Sequence, residues 1–145
     1  SIVMEGYYND PDLTAETLVG GYVRTKDLAY LDEDGDCILV GRADDVINYG
    51  GSKISPAEIE NLALGYEYID DVAFTSISDP ITGELPVILV IQKDGYDEAE
   101  FERFLTDRLE SYKLPRKYIY VDNIPKTFKG SVLRKEVRKL AEQNA

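Results

Sequence analysis

Between Gly41 and Glu60 the chain reads GRADDVINYGGSKISPAEIE, and this stretch narrows its folding options more than any other. Val46 to Tyr49 and Lys53 to Ile54 predict two short strands about the turn signal Gly50-Gly51. Ser55-Pro56-Ala57-Glu58 then writes a helix start. The serine is placed to cap, the proline suits the first helical position, and the glutamate completes a capping box. Ile59, Leu62, Ala63 and Tyr66 recur at helical spacing, so one face of that helix is expected to be buried. A hairpin feeding directly into an amphipathic helix points to a mixed α+β organisation.

The flanking residues extend this pattern. Asn9-Asp10-Pro11 breaks the chain, and Asp12 or Thr14 is placed to cap a short helical turn. Tyr22 to Tyr30 and Cys37 to Val40 read as strands around the turn Asp32-Glu33-Asp34-Gly35. That acidic turn does not read as a calcium loop, because Gly35 falls too early and strands rather than helices flank it. Val72 to Ile77 and the apolar run Pro86 to Gln92 predict strands, the second central. Glu98 to Tyr112 predicts a helix with Phe101, Phe104, Leu105 and Leu109 inward, ended by Leu114-Pro115. Tyr118 to Val121 is a further strand, and Leu133, Val137 and Leu140 mark the inner face of a last helix. The expected fold class is α+β: a β-hairpin followed by a small, roughly three-stranded mixed sheet covered by helices.

Composition removes several kinds of chemistry. The 145 residues contain no histidine and one cysteine, Cys37. A Ser-His-Asp triad, a histidine zinc motif and imidazole base catalysis are therefore excluded within this chain, and no metal site is expected. A lone cysteine makes no internal disulfide, which fits a cytoplasmic location. The opening SIVMEGYYND has no signal-peptide pattern, and no apolar run is long enough to span a membrane. Net charge is −12, which argues against nucleic acid as a partner. The charge is uneven: residues 116–145 hold 8 Lys/Arg against 3 Asp/Glu. Such a basic tail serves either as a solvated helix face or as a contact for phosphates.

Individual residues carry two readings each. Asp27 is either an edge-strand carboxylate facing water or an acceptor whose two oxygens serve vicinal ribose hydroxyls. Arg42 is either paired at the surface with Asp44 or Asp45, or a planar donor for nucleotide oxygens. Asp44 and Asp45 are adjacent on an extended segment and point opposite ways, so they form no shared acid–base dyad. Gly50-Gly51 makes a tight turn or lets a thin ligand pass close to the backbone. The loop Pro125-Lys126-Thr127-Phe128-Lys129-Gly130 is a solvent loop or an anion contact, and Ser131 is a candidate N-cap for the last helix.

Taken in order, these segments resemble the adenylate-forming enzymes: acyl-CoA synthetases, luciferase-like enzymes and the adenylation domains of peptide synthetases. VMEGYYNDPDLTAET is similar to the end of that family's large N-terminal domain, and YVRTKDL to its Tyr-Arg-Thr-Gly-Asp motif. GRADDVINYGGSKISPAEIE resembles the hinge, and LESYKLPRKY and IPKTFKGSVLRK its last two motifs. The resemblance implies that Asp27 binds the ribose of ATP and that Arg42 approaches the nucleotide. It makes Asp44 the pivot of a swinging lid and Gly50-Gly51 part of the pantetheine tunnel.

The implied organisation is residues 1–41 as the end of the N-terminal domain with a connecting hairpin, 42–48 as hinge, and 49–145 as the C-terminal lid. The implied parent is an AMP-forming carboxylic acid–CoA ligase using ATP, coenzyme A and Mg²⁺, the metal held by the N-terminal domain. Its partners are that domain, a small carboxylic acid and CoA, and the isolated chain is expected to be inactive. Loading of a carrier protein is the alternative acceptor chemistry, although no carrier pattern follows the last motif.

Two positions depart from the family pattern. Lys26 stands where the family has glycine. Ser131 stands where its lysine reaches the acyl carboxylate and the α-phosphate during adenylation. Serine supplies no cation there. The departure leaves three readings: Lys126 or Lys129 substitutes, the adenylation step is slow or lost in a non-catalytic relative, or the sequence is altered at that position.

Overall fold

The computed structural model describes residues 3–145; Ser1 and Ile2 of the opening segment lie outside the described residues. A first helix, α1 (Pro11–Thr17), is capped by Asp10, whose Oδ1 accepts from Leu13 N at 2.9 Å. The expected caps Asp12 and Thr14 are displaced because Pro11 takes the first helical position. Thr14 Oγ1 is engaged instead by Tyr7 N and the Asp10 carbonyl. Strands β1 (Leu18–Val19) and β2 (Tyr22–Val23) form a small hairpin. β3 (Asp27–Leu31) and β4 (Cys37–Arg42) form a second, turned by Asp32, whose Oδ1 accepts from the backbone of Asp34 and Asp36.

The main sheet begins after a 3₁₀ turn at Ala43–Asp45. β5 (Ile47–Tyr49) and β6 (Ser52–Ile54) pair as the Gly50-Gly51 signal predicts. β7 (Ile69–Asp79) and β8 (Gly83–Gln92) are antiparallel along their whole length. The other edge of β8 meets β5 at Tyr49↔Gly83 and runs parallel to β9 (Lys117–Tyr120). The fold class is α+β as expected, with β7, β8 and β9 as the mixed central strands. The β5–β6 hairpin widens the sheet to five strands through that single Tyr49↔Gly83 register.

Alternation along β8 explains its continuous apolar run. Ile88 and Val90 enter one core with Phe74, α2 (Pro56–Ala63) and α3 (Glu98–Thr106); Val87 and Leu89 enter a second with Ala73 and α4 (Arg134–Asn144). The sheet is thus covered on both faces, and a strand buried on both faces has no polar side.

Three local expectations change. The capping box at Ser55–Glu58 does not form. Ser55 Oγ donates to the Val40 carbonyl at 2.6 Å, and Glu58 pairs with Lys113 at 2.7 Å. Long-range partners outcompete the local ones and tie α2 to β4 and to the Ser111–Lys113 turn. A glycine is required opposite Ser55: a Cβ at Gly41, φ +145°, would lie 2.8 Å from Ser55 Oγ. Helix α3 stops at Thr106 rather than Tyr112: Arg108 N turns to the Leu105 carbonyl, three residues back, and the Arg108 guanidinium takes the Phe104 carbonyl in its place. Ser131 does not cap α4. Leu133 holds that position, half-exposed rather than inward, while Val137 and Ala141 are buried.

Candidate functional site

The junction between the β3–β4 hairpin and the main sheet collects most of the singled-out residues. Asp27 and Arg42 face each other in the β3–β4 register, and Arg42 Nη1 donates to Asp27 Oδ1 at 2.9 Å. Arg42 therefore pairs with Asp27 and not with Asp44 or Asp45. The chain then tightens into the 3₁₀ turn, where Ala43 N donates to the Lys26 carbonyl at 2.8 Å.

The two aspartates of that turn diverge, as their adjacency predicts. Asp44 Oδ2 lies 3.9 Å from Lys26 Nζ, which also meets Glu16 at 2.9 Å. The Glu16 hydrogen bond, with Asp44 adding charge, holds the Lys26 ammonium above its ordinary pKa and lowers the Glu16 carboxyl. Asp45 Oδ2 instead meets Arg134 Nε at 3.3 Å. One aspartate faces the segment before the junction, and the other is tied to the last helix.

Arg134 anchors the second side. Its Nη1 and Nη2 reach Glu60 Oε1 and Oε2 at 2.5 and 2.9 Å, and Glu60 Oε1 also accepts from Phe74 N at 2.7 Å. Glu60 is buried, 8% exposed. Burial alone would depress the Arg134 pKa; the bidentate contact with Glu60 and the Asp45 charge more than offset it. A cavity of about 560 Å³ opens beside this network, lined among others by Asp44, Asp45, Ser76, Glu84, Arg134 and Arg138. Its charges answer one another: Glu84 accepts from Ser76 Oγ at 2.7 Å, Asn48 N at 2.7 Å and Arg138 Nη1 at 3.3 Å.

Sequence reasoning missed Arg134 and Glu60. The available signal was a glutamate on the inward face of α2, one residue after Ile59 and three before Ala63. A carboxylate there requires a buried cation. Lys26 stood out only as a departure, yet its φ of +62° shows that the backbone there is of the left-handed kind glycine favours.

The loop residues form a separate group. Lys126 Nζ meets both oxygens of Asp71 at 2.7 and 2.6 Å. Lys129 and Ser131 are exposed within a hairpin closed by Thr127 and Ser131. No hydrogen bond or ion pair among the described residues joins this loop to Asp27 or Arg42. Gly50 and Gly51 turn the β5–β6 hairpin at φ +56° and +90°, both exposed, and a Cβ on either would meet no atom within 4 Å. The described residues contain no cluster of three or more His, Cys, Asp or Glu suited to a metal ion.

The described residues thus comprise a hairpin with exposed apolar side chains, a charged junction and a doubly covered α+β sheet with a basic loop. The match is to the AMP-binding enzyme C-terminal domain, over residues 58–131, and the chain belongs to that family. It is 36% identical over 139 residues to a 4-coumarate–CoA ligase of Vanilla planifolia, covering 94% of this chain and 25% of that protein. Among solved structures it resembles the o-succinylbenzoate CoA synthetase of Bacillus subtilis in complex with an acyl-adenylate intermediate. The TM-score is 0.86 and the identity 27%, over 94% of this chain and 28% of that one. An amide bond synthetase from Marinactinospora thermotolerans matches with TM-score 0.85 and 30% identity, over 95% of this chain and 28% of that one. The chain thus spans about a quarter of the length of these relatives.

Proposed function

We propose that this chain is the swinging C-terminal lid of an AMP-forming carboxylic acid–CoA ligase, with residues 1–41 closing the N-terminal domain, 42–48 as hinge and 49–145 as lid. In the first half-reaction a carboxylate oxygen attacks the α-phosphorus of ATP. The O–P bond forms, the bond to the bridging oxygen breaks, and pyrophosphate leaves with the electron pair. In the second, the thiol sulfur of CoA attacks the acyl carbon, the bond to AMP breaks, AMP leaves with the electron pair, and the thiol proton is released. Asp27 and Arg42 meet the nucleotide, Gly50 and Gly51 flank the pantetheine arm, and Asp44 is the pivot. Two reaction geometries in one cleft require a rigid body that presents different faces in turn.

The observation that carries this reading is the divided junction: the Asp44 side chain is 64% exposed and only loosely near Lys26, at 3.9 Å, while its neighbour Asp45 is tied to Arg134 of the last helix. The apolar face of the β3–β4 hairpin ahead of it supports the same view, with Leu31 71% and Leu39 69% exposed. A two-stranded hairpin with such a face is marginal unless something covers it. Mg²⁺, where the reaction uses it, is assigned in this reading to the N-terminal domain, and no step is derived through it. No described helix is long and apolar enough to cross a membrane, and the exposed free Cys37 suits a reducing cytoplasm.

The test is the full-length enzyme with ATP, CoA and a panel of aromatic and fatty acids, compared with residues 1–145 alone. Acyl-CoA is expected from the first and none from the second; formation by the isolated chain would contradict the assignment. A non-catalytic relative is the second reading, favoured by Ser131, and absence of pyrophosphate exchange by the full-length protein across the panel would support it. Acceptance of a carrier protein or an amine in place of CoA is separated by supplying each to the preformed adenylate.

A further inference from the structure

We infer that Lys129, at the tip of the 126–132 hairpin, supplies the cation for adenylation that Ser131 cannot. This rests on the ligase reading above and assigns a residue within it.

The hairpin decides which lysine is free. Lys126 pairs with Val132, Thr127 N donates to the Ser131 carbonyl at 2.8 Å, and Gly130 N to the Thr127 carbonyl at 2.9 Å. Residues 128–130 are thus a three-residue loop, with Gly130 at φ +86° supplying the left-handed position such loops need. The backbone is fixed from both ends, and the side chains of Phe128 and Lys129 project from its tip.

Lys126 is committed elsewhere. Its ammonium sits on both oxygens of Asp71, on β7, with about a third of its side chain exposed. Withdrawing it would strand a carboxylate that is itself only 21% exposed. Ser131 has its backbone N–H on Thr127 Oγ1 and its carbonyl on Thr127 N, and its hydroxyl carries no charge. Lys129 has no carboxylate partner among the described residues. Its ammonium lies 5.6 Å from the centroid of the Phe128 ring.

Phe128 is 96% exposed, beside an ammonium with no counter-ion. Together they make a tip with an apolar face and one uncompensated positive charge. Inserted into a cleft, the ring excludes water and the ammonium faces the anionic oxygens of the attacking carboxylate and the α-phosphate. Charge developing on those oxygens is then met in a drier medium, where a cation acts more strongly than in bulk water.

The experiment uses the full-length enzyme and the panel acid that gives fastest ATP–pyrophosphate exchange. The second half-reaction is followed separately from the chemically synthesised adenylate of that acid with CoA. Lys129→Ala is expected to lower exchange by about a hundredfold or more, with the thioester step from preformed adenylate within a few-fold. Lys129→Arg, which keeps the charge, recovers part of the exchange, and Ser131→Lys in the Lys129→Ala background restores it. Exchange within threefold of the unmodified enzyme in Lys129→Ala overturns the assignment. An equal fall in both half-reactions overturns it too, since that marks a structural role. An unmodified enzyme without exchange on any acid overturns the ligase reading itself.

Discussion

Arg42 Nη1 donates to Asp27 Oδ1 at 2.9 Å across a β3–β4 register that sets the two residues directly opposite. The pair is half open, with Arg42 and Asp27 side chains 53% and 34% exposed. An exposed pair of this kind contributes about 0–1 kcal/mol to stability. The guanidinium engages one carboxylate oxygen, and the second makes no hydrogen bond among the described residues; in the function proposed above, that second oxygen is the one that meets the nucleotide.

Asp27→Asn in the full-length enzyme is accordingly expected to raise the KM for ATP about tenfold while the melting temperature moves little. Steady-state kinetics beside calorimetry checks this. A large loss of stability with an unchanged KM would make Asp27 a structural residue.

Arg134→Met removes the cation from a buried carboxylate. Loss of about 3 kcal/mol is expected in urea denaturation, because Glu60 is left charged and unpaired in the interior. The double variant Glu60→Leu/Arg134→Met should recover much of that loss. Equal or greater destabilisation of the double variant would contradict the account of Glu60 as an uncompensated charge.

Lys26 separates backbone strain from ion pairing. Lys26→Gly and Lys26→Ala both lose the Glu16 and Asp44 contacts, but only glycine accepts φ +62° without penalty. The glycine variant should be about 1 kcal/mol the more stable of the two. If alanine equals or exceeds it, the left-handed backbone at this position is not a source of strain.

Burial raises the phenol pKa of Tyr66, Tyr96, Tyr118 and Tyr120, with nearby carboxylates adding to the effect. Tyr120 also donates to Glu98. A raised folded pKa means the folded state holds its proton longer than the unfolded chain. These groups contribute fully below about pH 10, and the contribution is lost as pH climbs through the ordinary phenol value towards the raised one. In an ultraviolet titration part of the 11 tyrosines should ionise only with unfolding. A single titration of all of them at the ordinary value, with the fold intact, would contradict this.

Much of the fold was legible because its strongest signals are local. Gly50-Gly51 named a hairpin, and the run from Pro86 to Gln92 named a central strand. Ser55 and Glu58 misled for the opposite reason. Their local capping chemistry was sound, but Val40 and Lys113 offered partners that only the tertiary fold brings near. Ser131 misled too: it is held by its backbone in the 126–132 hairpin, two residues ahead of the cap position. The pairing of Tyr49 with Gly83 left no trace in the sequence, nor did that of Asp45 with Arg134. For the site, order and spacing picked out Asp27, Arg42 and Asp44. Their assignment to nucleotide and pivot came from family resemblance, and the Lys126–Asp71 contact that distinguishes Lys126 from Lys129 required coordinates.

A swinging lid depends above all on rotation about Asp44, and Asp44→Pro in the full-length enzyme tests it most directly. Proline fixes φ and removes the backbone N–H, so the turn between Ala43 and Asp45 is locked. The expected result is ATP–pyrophosphate exchange within a few-fold of the unmodified enzyme and thioester formation reduced at least about a hundredfold. Equal rates for both half-reactions in the proline variant and the unmodified enzyme would contradict a lid that swings at this residue.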